Sequence, residues 1–340
     1  MRTEPEIVVL KKGFACEFTL IIAPFCTSKI DTTILIISKS LQSGKESFDD
    51  IRMSGVTAQS TRIDPDEIIE EKKIGEGSFG IVSKGTFRGN QVAIKKLKQR
   101  VVIDNNTKND EFENEVLMLD KFRCEYIVHF YGAVFITTKV CMVTEYAPFG
   151  SLQNLIDTKK SDEFGLKLRV KMCLDAIKGI VYLHTNGILH RDIKPDNILV
   201  FSLDLSCTDV TNAKLTDFGS ARNVNLLMTN MTFTKGIGTP KYMAPEILQK
   251  QKYKESADVY SFAMTMYEIF IWGEAFPREM FRYPWEVVNF ITGGRRLDKP
   301  ANMDNALFKI VSDSWRNNSN ERNDACKIEK SLGEYYLSLN

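Results

Sequence analysis

The chain has 340 residues, 43% apolar and 26% charged, with 45 Lys and Arg against 44 Asp and Glu. That length suffices for one large domain or two ordinary ones, and a net charge of +1 supplies no global field to attract nucleic acid or an anionic membrane. Seven scattered cysteines without a Cys-x-x-Cys pair, and only three histidines, argue against a disulfide framework or a histidine-rich metal centre, so reduced thiols and a cytoplasmic location are expected.

Residues 1–66 read as a β-rich extension and linker of unassigned function. The β-branched runs Phe18–Ile22 and Thr33–Ile37 favour strands, and Ser38–Arg62 reads as a polar stretch. Phe14–Cys26 is apolar but is interrupted by Glu17 and Pro24. It falls short of the roughly 18 apolar residues of a membrane helix, so no direct membrane insertion is expected. From Ile68 to Val143 the pattern is short strands with one helix around Phe112–Phe122. Beyond Gly150 it becomes helical. Leu166–His184 carries Val170, Cys173, Leu174, Ile177 and Val181 at helical spacing and stops at Asn186-Gly187. Ser256 is suited to cap an apolar helix ending at Gly273, and Pro284 to open a third that stops at Gly293-Gly294. A β-rich lobe (67–145) followed by a helical lobe (146–340) predicts an α+β fold with a cleft between its parts.

Four motifs carry chemistry. In Gly75-Glu76-Gly77-Ser78-Phe79-Gly80-Ile81-Val82, the glycines let backbone amides approach phosphate oxygens. A dinucleotide-binding turn has the same spacing but opens a helix. Here Gly85, Gly89-Asn90 and Gln91-Val92-Ala93-Ile94 read as a hairpin, so the glycines lie between strands. Lys95 ends that apolar strand and can present an ammonium to phosphate. Glu115 is the preferred carboxylate to hold it, with Glu113 as competitor. His190-Arg191-Asp192-Ile193-Lys194-Pro195-Asp196-Asn197 is a loop because proline cannot continue the preceding helix. Asp192 can orient a hydroxyl proton, Lys194 can neutralise a transferring phosphate, and Asn197 can hold a metal through its carbonyl oxygen. Asp217-Phe218-Gly219 follows a short apolar strand and places a carboxylate where magnesium would find an oxygen ligand. The glycine motif, the Lys95 strand and Asp217-Phe218-Gly219 are each weaker alone than a bland alternative, a glycine turn or a solvated lysine, whereas His190–Asn197 is the strongest of the four because a chance match to its whole string is improbable. The order and spacing of the four together outweigh the bland alternatives.

In that order and spacing, residues from about 68 to 338, roughly four-fifths of the chain, resemble a eukaryotic protein kinase domain of the tyrosine-kinase-like group of serine/threonine kinases. Glu145-Tyr146-Ala147 resembles the hinge behind Thr144, and Ala244-Pro245-Glu246 the end of the activation segment. Asp258 and Arg322 match further family positions, Arg322 as the partner of Glu246. Cys124, Ala263 and an insertion at Phe201–Asn212 depart from the pattern without touching a catalytic position.

The resemblance implies a two-lobed kinase fold and a nucleotide site. Ile74 and Gly75–Val82 cover ATP phosphates, Ala93 and Leu199 sandwich adenine, and Thr144 and the Glu145–Ala147 backbone edge it. Lys95 and Glu115 position the α- and β-phosphates, and Asn197 and Asp217 hold magnesium. Protein substrates are the implied partners, without nucleic acid. Lys194 and Gly238-Thr239-Pro240 fit serine/threonine specificity, while Lys241-Tyr242-Met243 leans toward the tyrosine-kinase pattern and leaves dual specificity open. Thr229, Thr232 and Thr234 are expected targets of an upstream kinase, pairing with Arg191 once phosphorylated. Two further readings are an ATP-binding pseudokinase scaffold, disfavoured by the presence of Lys95, Asp192 and Asp217, and an interaction module in residues 1–66 that uses the kinase as its effector.

Overall fold

The structure, a computed structural model, describes residues 2–22, 29–56, 60–76, 80–97, 106–136, 139–206, 210–223 and 239–339. Its contacts divide the chain into two units, residues 1–102 with 131–144 and residues 103–130 with 145–340.

In the first unit, β1 (Arg2–Glu4) pairs antiparallel with β2 (Thr19–Ile21), and β3 (Lys29–Lys39) with β4 (Glu46–Val56). The predicted strands at 18–22 and 33–37 fall in β2 and β3. β4 lies inside the polar stretch Ser38–Arg62, where the sequence showed no strand signal. A ladder is built from backbone N–H and C=O groups, so a strand needs no apolar run once a partner is in register. The hairpin leaves Leu35, Ile37 and Phe48 exposed.

The strands β5 (Ile68–Glu76), β6 (Gly80–Phe87), β7 (Asn90–Leu97), β8 (Phe130–Val134) and β9 (Cys141–Glu145) form one sheet, ordered β5-β6-β7-β9-β8. The predicted hairpin is present: Arg88 (φ 48°) and Gly89 (φ 81°) make a two-residue turn between β6 and β7 with both residues left-handed. One face of this sheet is a dry cluster of Ile63, Phe87, Val92, Ile94, Val134, Cys141 and Val143.

The second unit is mostly helical. Helix α1 (Asn106–Leu119) ends earlier than the predicted 112–122, because Lys121 and Phe122 donate to Met118 and Leu119, three residues back, and the chain tightens out of the α-helix. Ser151 caps α2 (Leu152–Thr158), with Asn154 reciprocating. Then come α3 (Leu166–Thr185), which matches its prediction, and the short strands β10 (Ile188–Leu189), β11 (Ile198–Val200), β12 (Ala213–Leu215) and β13 (Arg222–Asn223), paired β10–β13 and β11–β12. Helices α4 (Pro245–Leu248), α5 (Glu255–Ile271), α6 (Pro284–Thr292), α7 (Asn305–Ser314) and α8 (Ala325–Ser338) complete it. Proline opens α6, as predicted.

Both predicted ends of α5 are corrected. Lys254, not Ser256, occupies the N-cap, without a side-chain bond. The helix closes on Trp272 in the left-handed conformation (φ 53°) rather than at Gly273. Packing holds Trp272 there: its ring stacks on Phe164 at 4.8 Å and its Nε1 donates to the Lys159 carbonyl. Buried contacts of this size outweigh the cost of a single non-glycine residue at positive φ.

Candidate active site

The segment between β10 and β11 gathers three of the predicted polar residues. Asp192 Oδ2 accepts from Lys194 Nζ at 2.7 Å and from Asn197 Nδ2 at 3.0 Å, and Asn197 Nδ2 also donates to the Asp192 carbonyl at 2.7 Å. The Asn197 amide nitrogen is thereby committed to Asp192, and its carbonyl oxygen is the group left to hold a cation. Pro195–Asn197 form a single 3-10 turn that returns the chain into β11. The side chains of Asp192 and Lys194 stay partly accessible, 16% and 19% exposed.

Beneath this loop lies Asp258, wholly buried in α5. Its two oxygens accept from His190 N–H (2.9 Å), Arg191 N–H (2.9 Å) and Tyr253 O–H (2.8 Å), and His184 Nε2 sits 3.0 Å away. Burial alone would raise its pKa. The hydrogen bond and charge of His184, the charge of His190 and the Arg191 N–H outweigh burial and hold the carboxyl below its ordinary value. These bonds pin Arg191 in a left-handed conformation (φ 71°) that a non-glycine residue adopts only when its surroundings over-determine it. Arg191 itself is desolvated, which lowers its pKa, and its guanidinium lies 5.7 Å from the Tyr253 ring centroid.

Asp217 follows β12 and is likewise left-handed (φ 64°). Phe218 is fully buried, packed on Phe122 (4.9 Å) and on the His190 ring (5.0 Å), while His190 Nε2 lies 3.0 Å from the Thr216 carbonyl. A β-carbon on Gly219 would lie 3.6 Å from Asp217 Oδ1 and 3.8 Å from Glu115 Oε2, and Glu115 is 6% exposed, buried with Val116 and Leu119 on α1. Glu113, the competitor, is exposed. Asn197 and Asp217 are hard oxygen donors of the kind a small divalent cation takes.

Ala147 is buried and Leu199 half-buried. The backbone brings their segments together: Phe149 N–H donates to the Val200 carbonyl, Val200 N–H to the Gly150 carbonyl, and Ser151 bridges Leu199. Glu145 is anchored through its side chain by Lys214 Nζ (2.7 and 2.9 Å) and by the His129 N–H (2.6 Å).

In the first unit, Ile74, Gly75 and Glu76 end β5, and Gly80, Ile81 and Val82 begin β6. Gly77, Ser78 and Phe79 lie outside the described residues, as do Thr229, Thr232 and Thr234. In the β6–β7 register Val82 faces Lys95 and Lys84 faces Ala93. Directly opposed residues share a face, so Val82, Ala93 and Lys95 lie on one side of the sheet. Thr144 is half-buried in β9.

Several supporting residues escaped sequence reasoning: His184 and Tyr253 on Asp258, Lys214 on Glu145, and Glu268. Glu268 is 2% exposed and accepts from Lys241 Nζ, the Tyr242 hydroxyl and the Ala275 N–H. A lone carboxylate inside the otherwise uncharged Met264–Ile271 is a readable signal of a buried, partnered charge. The pair that the resemblance implied is formed, with Arg322 bidentate to Glu246 at 2.6 and 2.7 Å.

The family described as protein tyrosine and serine/threonine kinase matches residues 68–332. Three Dictyostelium discoideum proteins, each named a probable serine/threonine-protein kinase, are similar to this chain. One is gdt9, 33% identical over 284 residues, covering 75% of this chain and 17% of its own length. A second is gdt2, 31% identical over 321 residues, covering 93% and 19%. The third is drkB, 35% identical over 238 residues, covering 69% and 32%. The chain thus spans less than a third of the length of these relatives. Among the described residues no helix is long and apolar enough to cross a membrane. With the family matched over most of its length, the chain belongs to the protein kinases, with a β-sheet lobe, a helical lobe and a β-rich N-terminal extension.

Proposed function

We propose that the protein transfers the γ-phosphoryl group of ATP to serine and threonine hydroxyls of protein substrates. The observation that carries this reading is the Asp192–Lys194–Asn197 unit: a carboxylate, an ammonium and an amide in one hydrogen-bonded group. The substrate hydroxyl oxygen attacks the γ-phosphorus as the bond to the β-phosphate oxygen breaks. ADP leaves and the hydroxyl proton passes to Asp192. Lys194 bears the charge developing on the phosphoryl oxygens. A divalent ion, magnesium in our reading, would be held by Asn197 and Asp217 and would offset phosphate charge.

In the same reading Ile74, Gly75–Val82 and Lys95 engage the phosphates, and Ala93, Thr144, Glu145, Ala147 and Leu199 surround adenine. The relatives' names support serine and threonine as acceptors, as does Lys194. An upstream kinase acting on Thr229, Thr232 or Thr234 would deliver a phosphate for Arg191.

The test is phosphate transfer from labelled ATP with magnesium to a generic protein substrate, comparing wild type with Asp192→Asn, followed by phosphoamino-acid analysis. Label on serine or threonine that disappears in Asp192→Asn is the expected result. Label on tyrosine overturns the acceptor class. Equal silence in both proteins, after treatment with an activating kinase and with ATP bound, supports a scaffold instead.

A further inference from the structure

Residue 63 lies before the matched family segment and within the stretch that reads as a linker, yet Ile63 is 2% exposed and belongs to the dry cluster under the five-stranded sheet. Backbone bonds hold it there. Ile63 N–H donates to the Ala133 carbonyl at 3.1 Å, Ala133 N–H donates to the Thr61 carbonyl at 2.7 Å, and Arg62 forms a parallel bridge to Ala133. The Arg62 guanidinium covers the Phe135 ring at 4.9 Å. Residues 61–63 therefore extend the sheet beyond β8.

The sheet is shaped to receive them. Gly132 in β8 has φ +153°, and a β-carbon there would come within 2.7 Å of Ile63 Cγ2 and closer still to the Thr61 carbonyl oxygen. Only glycine meets both demands without strain.

The faces of the sheet give Ile63 its significance. Val92 and Ile94 of β7 and Val143 of β9 touch the Ile63 cluster and are 1% exposed or less. Strand side chains alternate, so Ala93, Lys95 and Thr144 lie on the reverse face, with Val82 opposite Lys95. These are the residues assigned above to adenine and phosphate. Close packing transmits a loss of volume on one face to the position of the strands, and hence to the other face.

We propose that Ile63 is a positioning residue for the nucleotide. Latched by residues 61–63 into the slot left by Gly132, it fixes from behind the strands that present Val82, Ala93, Lys95 and Thr144. This rests on the phosphotransfer reading, which places the nucleotide on that face.

The test uses the full chain with Ile63→Ala, Ile63→Val, Gly132→Ala and, as a control on the exposed hairpin, Ile37→Ala. Binding of adenylyl imidodiphosphate is measured beside hydrogen exchange at the Ile63 and Ala133 amides and the far-ultraviolet circular dichroism of each protein. The expected result is binding weakened about tenfold in Ile63→Ala and Gly132→Ala, a loss in line with small misplacements of binding groups. Exchange should rise at both amides in Gly132→Ala, Ile63→Val should return most of the affinity, and Ile37→Ala should match wild type. Should Ile63→Ala prove unfolded, Ile63→Val and Gly132→Ala decide by the same readouts. Faster exchange with unchanged affinity overturns the positioning role and leaves a purely structural strap. A wild type that shows protected amides but binds no analogue overturns the phosphotransfer reading, and this role with it.

Discussion

Asp192 and Asp258 belong to neighbouring parts of one site and are built in opposite ways. Asp192 sits in a partly accessible loop and takes its side-chain donors from residues two and five positions along. Asp258 is 0% exposed and receives His190 and Arg191 backbone N–H groups, His184 and Tyr253, three of them 67 to 74 residues away. A carboxylate proposed to accept a proton keeps access and few partners. One that must hold a strained loop gives up solvent and saturates its lone pairs. Substitution should separate the two: one should change the rate and the other the fold.

The largest effect is expected at Asp192. Asp192→Asn should lower the rate of phosphate transfer by about 10²–10⁴-fold, the range for a lost proton acceptor, while moving stability by no more than about 0.5 kcal/mol. Turnover on a serine peptide and a denaturant midpoint, measured on one preparation, check both halves. A large loss of stability would erase the contrast.

Asp258→Ala should do the reverse. Removing the acceptor leaves buried donors at His190, Arg191 and Tyr253 unpaired, at a cost of about 3–5 kcal/mol. Activity should fall as well, because Arg191 at φ 71° loses what holds it. If Asp258→Ala retains wild-type stability with its activity gone, Asp258 takes part in the chemistry and the division of labour fails.

The acid response sharpens the comparison further. The native carboxyl of Asp258 titrates below its ordinary value. Its contribution to stability is therefore complete above about pH 4, the unfolded value, and is lost as pH falls through the lower native one. Asp258→Asn removes this group's part of the acid slope. Its stability, measured by denaturant unfolding between about pH 4 and pH 2, should fall less steeply than that of wild type. Parallel slopes would show that Asp258 does not carry the acid sensitivity.

The same comparison explains what the sequence made legible. Asp192, Lys194 and Asn197 find their partners within one turn of chain, so their identities and spacing announce the group. The α3 boundaries and the β6–β7 hairpin were also local matters, of periodicity and of Arg88-Gly89. Residues joined across the fold were not legible this way. Nothing in the string around Tyr253 or His184 points to Asp258, and nothing around Lys214 points to Glu145. Ile63 looked like linker because its burial comes from strands further along the chain, from Phe87 to Val143, and the glycine that admits it, Gly132, reads as an ordinary strand residue. Trp272 displaced the helix stop from Gly273 because Phe164 and Lys159 were waiting for its ring. The β4 strand was hidden for a related reason: its order comes from pairing with β3, not from its own composition.

The smallest predicted effect probes a buried group that has not been saturated. Tyr260, one turn past the start of α5, is 0% exposed, with the guanidinium carbons of Arg296 and Arg322 at 5.3 and 5.1 Å from its ring centroid. Burial pushes its phenol up to about 12 against the pull of the two arginines, and its hydroxyl has no hydrogen-bond partner among the described residues. The ring, not the hydroxyl, accounts for the packing. Tyr260→Phe keeps the ring and its contact with both cations while removing an unpaired polar atom. It should therefore raise stability by about 1 kcal/mol, where Asp258→Ala, two residues away, lowers it several-fold more. A shift of the denaturant midpoint to higher concentration at unchanged slope is the signature. A loss of similar size would mean that the hydroxyl is bonded in solution, and that α5 satisfies its buried polar group at Tyr260 as it does at Asp258.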